Sequence, residues 1–237
     1  MAQYYVPLHT TLFMPSGELE GLSAYFDCIP HYLFRTSSPR SSGTTTDTCV
    51  TSSAIRYGID QSDILGRDRE EAAEMLKNHL LWKSCTPDNL MSWTNSFLFA
   101  VQHAIWREET DRPASPPEKI YITSLDTRKT PRGAFLPATV LLEAFNIGST
   151  GKLRHEYYHG EYLSQGTLSS NAIITTTLAE LIDHGLYKLY PPFAEVRERD
   201  RLFLRVQQLR ETFTETPEVP TDEEINNAQW LSAVCFI

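Results

Sequence analysis

His159-Gly160-Glu161-Tyr162-Leu163-Ser164-Gln165-Gly166 sets a carboxylate at the head of a short run closed by glycine. Two upstream segments give that carboxylate possible partners. His31-Tyr32-Leu33-Phe34-Arg35-Thr36-Ser37-Ser38-Pro39 is an aromatic-aliphatic strand that delivers an arginine, and Met91-Ser92-Trp93-Thr94-Asn95-Ser96 is a strand carrying small hydroxyls. Alternation along a strand points Ser92 and Thr94 to one face and Trp93 to the other, where it packs into the core. Small hydroxyls on the first face can hydrogen-bond a carboxylate and orient it without filling the space around it. A guanidinium fixed at a strand end, as at Arg35, can hold a phosphate or ribose oxygen through paired hydrogen bonds, where lysine offers only a point charge.

Composition bounds the rest. With 237 residues, 41% of them hydrophobic, the chain can bury one substantial core. The expected organisation is a main domain over 1–190 and a C-terminal helix with an acidic tail over 191–237. A formal charge of -9 repels phosphate backbones, which disfavours a nucleic-acid partner. Cys28, Cys49, Cys85 and Cys235 form no Cys-x-x-Cys pair and read as reduced thiols. The first residues lack a cationic segment followed by an apolar run, and no stretch approaches the ~20 apolar residues of a membrane span. A soluble, cytoplasmic protein without a membrane partner is the expectation.

Residues 36–67, rich in Ser, Thr and Gly, read as loop. Three-and-four spacing of apolar residues predicts a helix over Arg69–Lys83, with Glu70, Glu71 and Glu74 early and Lys77, His79 and Lys83 late, as the helix dipole prefers. Asn89–Thr94 reads as a strand, followed by a helix over Ser96–Arg107 capped by Asn95 or Ser96. Further along come a strand over Lys119–Leu125, a helix over Leu136–Phe145, an extended run over His155–Leu163, and helices over Asn171–Leu189 and Phe193–Phe213. Glu211–Asn227 carries six acidic residues, two prolines and no Lys or Arg, which predicts a mobile linker before Trp230-Leu231.

Taken in order, Arg35, Ser92-x-Thr94 and Glu161 resemble the Arg, Ser-Thr-Ser, Glu signature of NAD-dependent mono-ADP-ribosyltransferases of the cholera and heat-labile toxin type. The resemblance runs over roughly residues 31–170 through three short motifs. It implies an α/β (α+β) fold, a split, mostly antiparallel β-sandwich around an NAD cleft with flanking helices. It further implies that NAD is the substrate, that Arg35, Thr36, Ser92 and Thr94 hold it, and that Glu161, aligned by Ser92, stabilises the ribosyl cation as the nicotinamide bond breaks. Ala100 and Gly166 fall where these enzymes carry a small residue and a glycine. The same segments, around Phe34-Arg35 and Glu161-Tyr162-Leu163, resemble those of uncharacterised fungal domains.

Two departures bear on the chemistry. Trp93 stands at the middle of the Ser-x-Thr element, and His159 stands two residues before the glutamate, where the toxin-type enzymes carry a Glu or Gln that activates the acceptor. Imidazole can serve as a general base, so His159 counts as a catalytic candidate. The acceptor is then a protein side chain or, in an NAD glycohydrolase, water.

Two other function classes compete. His155-Glu156-Tyr157-Tyr158-His159 spells the zinc-peptidase pattern, with Glu180 as a possible third ligand and Asp183 or His184 in support. That pattern needs a helix, whereas Gly148, Gly151, Gly160 and the adjacent tyrosines disfavour one and no apolar stripe is present. No bound metal is expected. The remaining class is a non-catalytic binding module, a degenerate transferase fold, suggested by Trp93 and His159.

Overall fold

β-Branched and aromatic runs lay down the strands of this chain, and side-chain caps begin most of its longer helices. The computed structural model describes residues 10–59, 61–83, 87–195, 206 and 219–235. The strands are β1 (Tyr32–Ser37), β2 (Thr44–Thr45), β3 (Cys49–Thr51), β4 (Leu90–Thr94), β5 (Tyr121–Asp126), β6 (Leu136–Pro137), β7 (Glu161–Gln165), β8 (Thr167–Ser169) and β9 (Ile173–Thr177). The helices are α1 (Ser53–Tyr57), α2 (Arg69–Leu80), α3 (Phe97–Thr110), α4 (Ala138–Ala144), α5 (Leu178–Asp183), α6 (Leu186–Leu189) and α7 (Asp222–Cys235). The fold is mixed α/β with antiparallel strand pairing. Among the described residues no helix is long and apolar enough to cross a membrane.

Two compact units share the chain: Met1–Leu33, Ser42–Asn95 and Asp126–Ile173 form one, and Phe34–Ser41, Ser96–Leu125 and Ile174–Ile237 the other. The division therefore runs through the chain several times. Each unit has its own apolar cluster, assembled from segments far apart in sequence.

In the first unit, β7 pairs antiparallel with β4 and with β6, while β3 pairs with β2 and β8. Helix α2 starts at Asp68, whose side chain accepts from the backbone N–H groups of Glu70 and Glu71 at 2.9 and 3.2 Å. Ala72, Leu76 and Leu80 form its buried stripe, joining Leu90, Leu136, Leu141, Leu142 and Leu163 in one core. That packing fixes the direction in which the last turn of α2 points its polar residues.

In the second unit, β5 lies between β1 and β9. Ser96 caps α3 by accepting from the Phe99 N–H at 3.2 Å. The helix buries Ala100, Val101, Ala104 and Ile105 against Phe34, Ile120, Ile122, Leu178 and Leu181.

Several local expectations are corrected. Residues 36–67 are not all loop: the Thr-rich stretch folds into β2 and β3, and Ser52 caps the short helix α1. The first residues of 171–189 form β9, because Ile173-Ile174-Thr175-Thr176-Thr177 is a β-branched run that prefers extended backbone. A capping box between Thr177 and Glu180 then starts α5. Leu136 and Pro137 are strand before α4 begins. His155–Tyr158 is a 3-10 turn, not an extended run. The helix expected over 193–213 lies largely outside the described residues. Within the acidic stretch, Asp222 onward is helix, since Thr221 and Glu224 satisfy each other's N–H groups at 2.8 and 3.2 Å and three acidic residues occupy the positive end. Leu231 and Cys235 are buried by that helix, whereas Trp230 is 65% exposed.

Candidate active site

Glu161 opens β7 immediately after Gly160, whose φ of +85° lies where side chains are strained. A Cβ on Gly160 would collide with Asn95 Oδ1, and the Asn95 N–H donates to the Gly160 carbonyl at 3.0 Å. The turn fixes where the strand begins and hence its register, in which Thr94 faces Glu161 and Ser92 faces Leu163. Ser92, two residues from Thr94, therefore shares the face of the carboxylate. Its Oγ donates to Glu161 Oε1 at 2.6 Å. Burial raises the Glu161 carboxyl above the usual carboxylate range, opposed by the Ser92 hydrogen bond and by His79.

Two further residues join this cluster. His79, on the last turn of α2, places Nε2 2.9 Å from Ser92 Oγ and Nδ1 3.0 Å from Asp88 Oδ1. Asp88 is itself held in place: Oδ1 accepts the Leu90 N–H at 2.7 Å, and its backbone exchanges hydrogen bonds with Ser53 Oγ at 2.9 and 3.0 Å. The side chains of His79 and Asp88 are only 14% and 22% exposed. In the sequence His79 reads as a cation at the negative end of a helix and Asp88 carries no signal, because nothing in the spacing of a helix end, a loop and a strand announces a shared hydrogen-bond line.

The back of β4 behaves as alternation predicts. Trp93 is buried, its Nε1 donates to Ser164 Oγ at 2.9 Å, and its ring meets Phe135 edge-on at 5.7 Å between centroids. Thr94 is partly buried opposite Glu161. Gly166, with φ of +58°, ends β7 in a turn whose Cβ position is taken by Thr11, and its N–H donates to the Asn89 carbonyl at 2.8 Å.

His159 departs from expectation. An extended 155–161 would have put His155, Tyr157, His159 and Glu161 on one face, but the 3-10 turn and Gly160 break the alternation, leaving His159 exposed. His155 Nε2 faces the Ile147 carbonyl at 3.1 Å, and the Tyr158 hydroxyl donates to the carbonyls of Leu80 and Lys152 at 3.2 and 3.1 Å. A four-residue 3-10 turn does not present His155 and His159 as a zinc-peptidase helix does. Glu180 is engaged in the Thr177 capping box and His184 Nδ1 with the Glu180 carbonyl at 2.7 Å. Among the described residues no three His, Cys, Asp or Glu side chains converge as a metal site. Cys28, Cys49 and Cys235 are free thiols.

Arg35 and Thr36 belong to the second unit. The Thr36 hydroxyl is buried and donates to the Ala100 carbonyl at 2.8 Å, which anchors β1 to α3. Just beyond, Asp111 Oδ2 accepts from Ser38 and Ser115 hydroxyls, each at 2.6 Å, and Arg107 donates to Ser38 Oγ at 2.9 Å. His103, on α3, is pushed down to about 3 by burial first and then by the charges of Arg107 and Arg35. Arg35 is partly buried on the same strand.

A family profile described as a domain of unknown function, DUF7587, matches residues 28–182. The chain belongs to this family. The matched span contains Arg35, His79, Asp88, Ser92, Thr94, His159 and Glu161. No curated protein and no solved structure matches the chain.

Proposed function

We propose that this chain cleaves the nicotinamide–ribose bond of NAD and transfers ADP-ribose to an acceptor. The observation that supports it is the 2.6 Å hydrogen bond from Ser92 Oγ to Glu161 Oε1 across the β4–β7 pair. When the glycosidic bond breaks, its electron pair goes to the nicotinamide ring nitrogen and positive charge develops on the ribose. A carboxylate aimed at a ribose hydroxyl strengthens that contact as the charge grows, and a hydroxyl bound to its other side keeps it aimed. In this reading Arg35 holds a phosphate or ribose oxygen, an assignment that comes from its motif. The reading also brings the transferase family's split β-sandwich around a nucleotide cleft.

Exposed His159, at the turn before Glu161, is the acceptor-side imidazole if a macromolecule accepts ADP-ribose; without such an acceptor the product is free ADP-ribose. The deciding assay is nicotinamide release from NAD by wild type and Glu161→Gln, with and without cell extract carrying the acceptor. Release by wild type and its loss in the variant is the expected result. Wild-type protein that neither binds nor consumes NAD sinks the proposal.

A further inference from the structure

The Ser92–Glu161 pair is part of a longer hydrogen-bonded line that continues through His79 to Asp88. The serine hydroxyl carries one hydrogen, yet Glu161 Oε1 at 2.6 Å and His79 Nε2 at 2.9 Å both lie within reach of it. If the hydrogen points to Glu161, Nε2 must donate to the serine lone pair. Nδ1 must also carry hydrogen, because Asp88 Oδ1 is an acceptor that already takes the Leu90 N–H at 2.7 Å. That arrangement is an imidazolium between two carboxylates. The same number of protons also allows a neutral ring: Glu161 as the acid donates to Ser92, Ser92 donates to Nε2, and Nδ1–H stays on Asp88.

The two arrangements interconvert by concerted transfer across one hydroxyl. The Nε2–H and Ser92 O–H bonds break, a new Ser92 O–H and a Glu161 O–H form, and no proton enters or leaves. We propose that His79, held by Asp88, is a positioning residue that stores the proton displaced from Glu161, so that Glu161 is anionic while the ribosyl cation forms. The role given to the cation rests on the transferase reading; the shared proton does not.

Burial favours the acid form of Glu161, and a cation placed one hydroxyl away is the counterweight that restores its charge. Among the described residues, the groups set against His79 come from segments outside its own helix. Asp88 comes from the segment before β4, Ser92 from β4 and Glu161 from β7, while Tyr158 packs its hydroxyl on the α2 carbonyl of Leu80. Helix α4, also packed on α2, carries one charged residue, Glu143, which is exposed. Removing the shared proton at high pH turns Ser92 toward Nε2 and strips Glu161 of its hydrogen bond; adding a second at low pH neutralises Glu161. Nicotinamide release therefore follows a bell whose limbs belong to the linked groups as a set.

The test uses the full chain labelled with ¹⁵N-histidine, with ring-nitrogen shifts and nicotinamide release followed over pH. The His79 Nε2 signal should move in Ser92→Ala and in Glu161→Gln, while Nδ1, on Asp88, holds. His79→Gln retains a donor toward Ser92 but no ionisable ring, so it should melt like wild type yet lose the alkaline limb and fall about tenfold or more in rate. His79→Ala should recover rate with added imidazole. An Nε2 signal indifferent to both variants, or full rescue by glutamine with an unchanged pH profile, overturns the relay whether or not NAD is cleaved. Absence of NAD turnover alongside coupled ring signals overturns the transferase reading and leaves the shared proton standing. Covalent capture of Ser92 by a fluorophosphonate, abolished in His79→Gln, would make Ser92 a nucleophile and overturn the assignment of His79 as a store.

Discussion

Thr94 is the cross-strand partner of Glu161, and this pairing places Ser92, on the same face of β4, within 2.6 Å of the carboxylate. One residue of slip would put Trp93 there instead and turn both hydroxyls into the core. The register is held by the Gly160 turn at one end and the Gly166 turn at the other. Geometry at the candidate site is therefore a property of two glycines as much as of the polar residues.

Glu161→Gln keeps the shape of the carboxylate and removes its charge. Nicotinamide release should fall about a hundredfold or more while NAD affinity, measured by titration calorimetry, changes little, since the lost interaction is one realised in the transition state.

The same variant should be more stable than wild type at neutral pH. Glu161 has its folded-state carboxyl raised, chiefly by burial, so its favourable contribution is complete below the unfolded value and is lost as pH rises through the folded one. Urea denaturation over pH should show the advantage of Glu161→Gln shrinking toward acid; an advantage that grows there contradicts the assignment.

Gly160→Ala forces a side chain into positive φ and against Asn95. The cost should be about 1–3 kcal/mol in chemical denaturation, with activity reduced beyond what the lost stability explains because Glu161 moves with the turn.

Arg35→Lys replaces a fork with a point charge. KM for NAD should rise by about tenfold with a smaller change in kcat; equal losses in both, or none, would remove Arg35 from the nucleotide.

His103 gives the second unit an acid sensitivity of its own. Its folded value, about 3, lies below the ordinary 6.5, so the stability it contributes is present above the ordinary value and drains away as pH falls toward the folded one. His103→Gln should flatten the decline in melting temperature over that window.

The local alphabet of this protein is legible in its sequence. Asp68 and Ser96 cap helices where Asp and Ser before an apolar periodicity say they should, and Trp93 points inward because its neighbours at alternate positions are hydroxyls. Strand alternation gives Ser92 and Thr94 a common face, while it is the resemblance to the Arg, Ser-x-Thr, Glu signature that pairs Ser92 with Glu161 in the sequence. Propensity also explains where the sequence misled: the β-branched run 173–177 competes with the apolar periodicity of 171–189, and the strand wins. His79 and Asp88 are different. They come from a helix end and a loop, and they meet Ser92 only because the Ala72, Leu76 and Leu80 stripe docks α2 in a particular orientation. Periodicity reports which way a side chain points from its own element; which partner waits there is decided by packing between elements distant in sequence, and that information exists only in the tertiary fold.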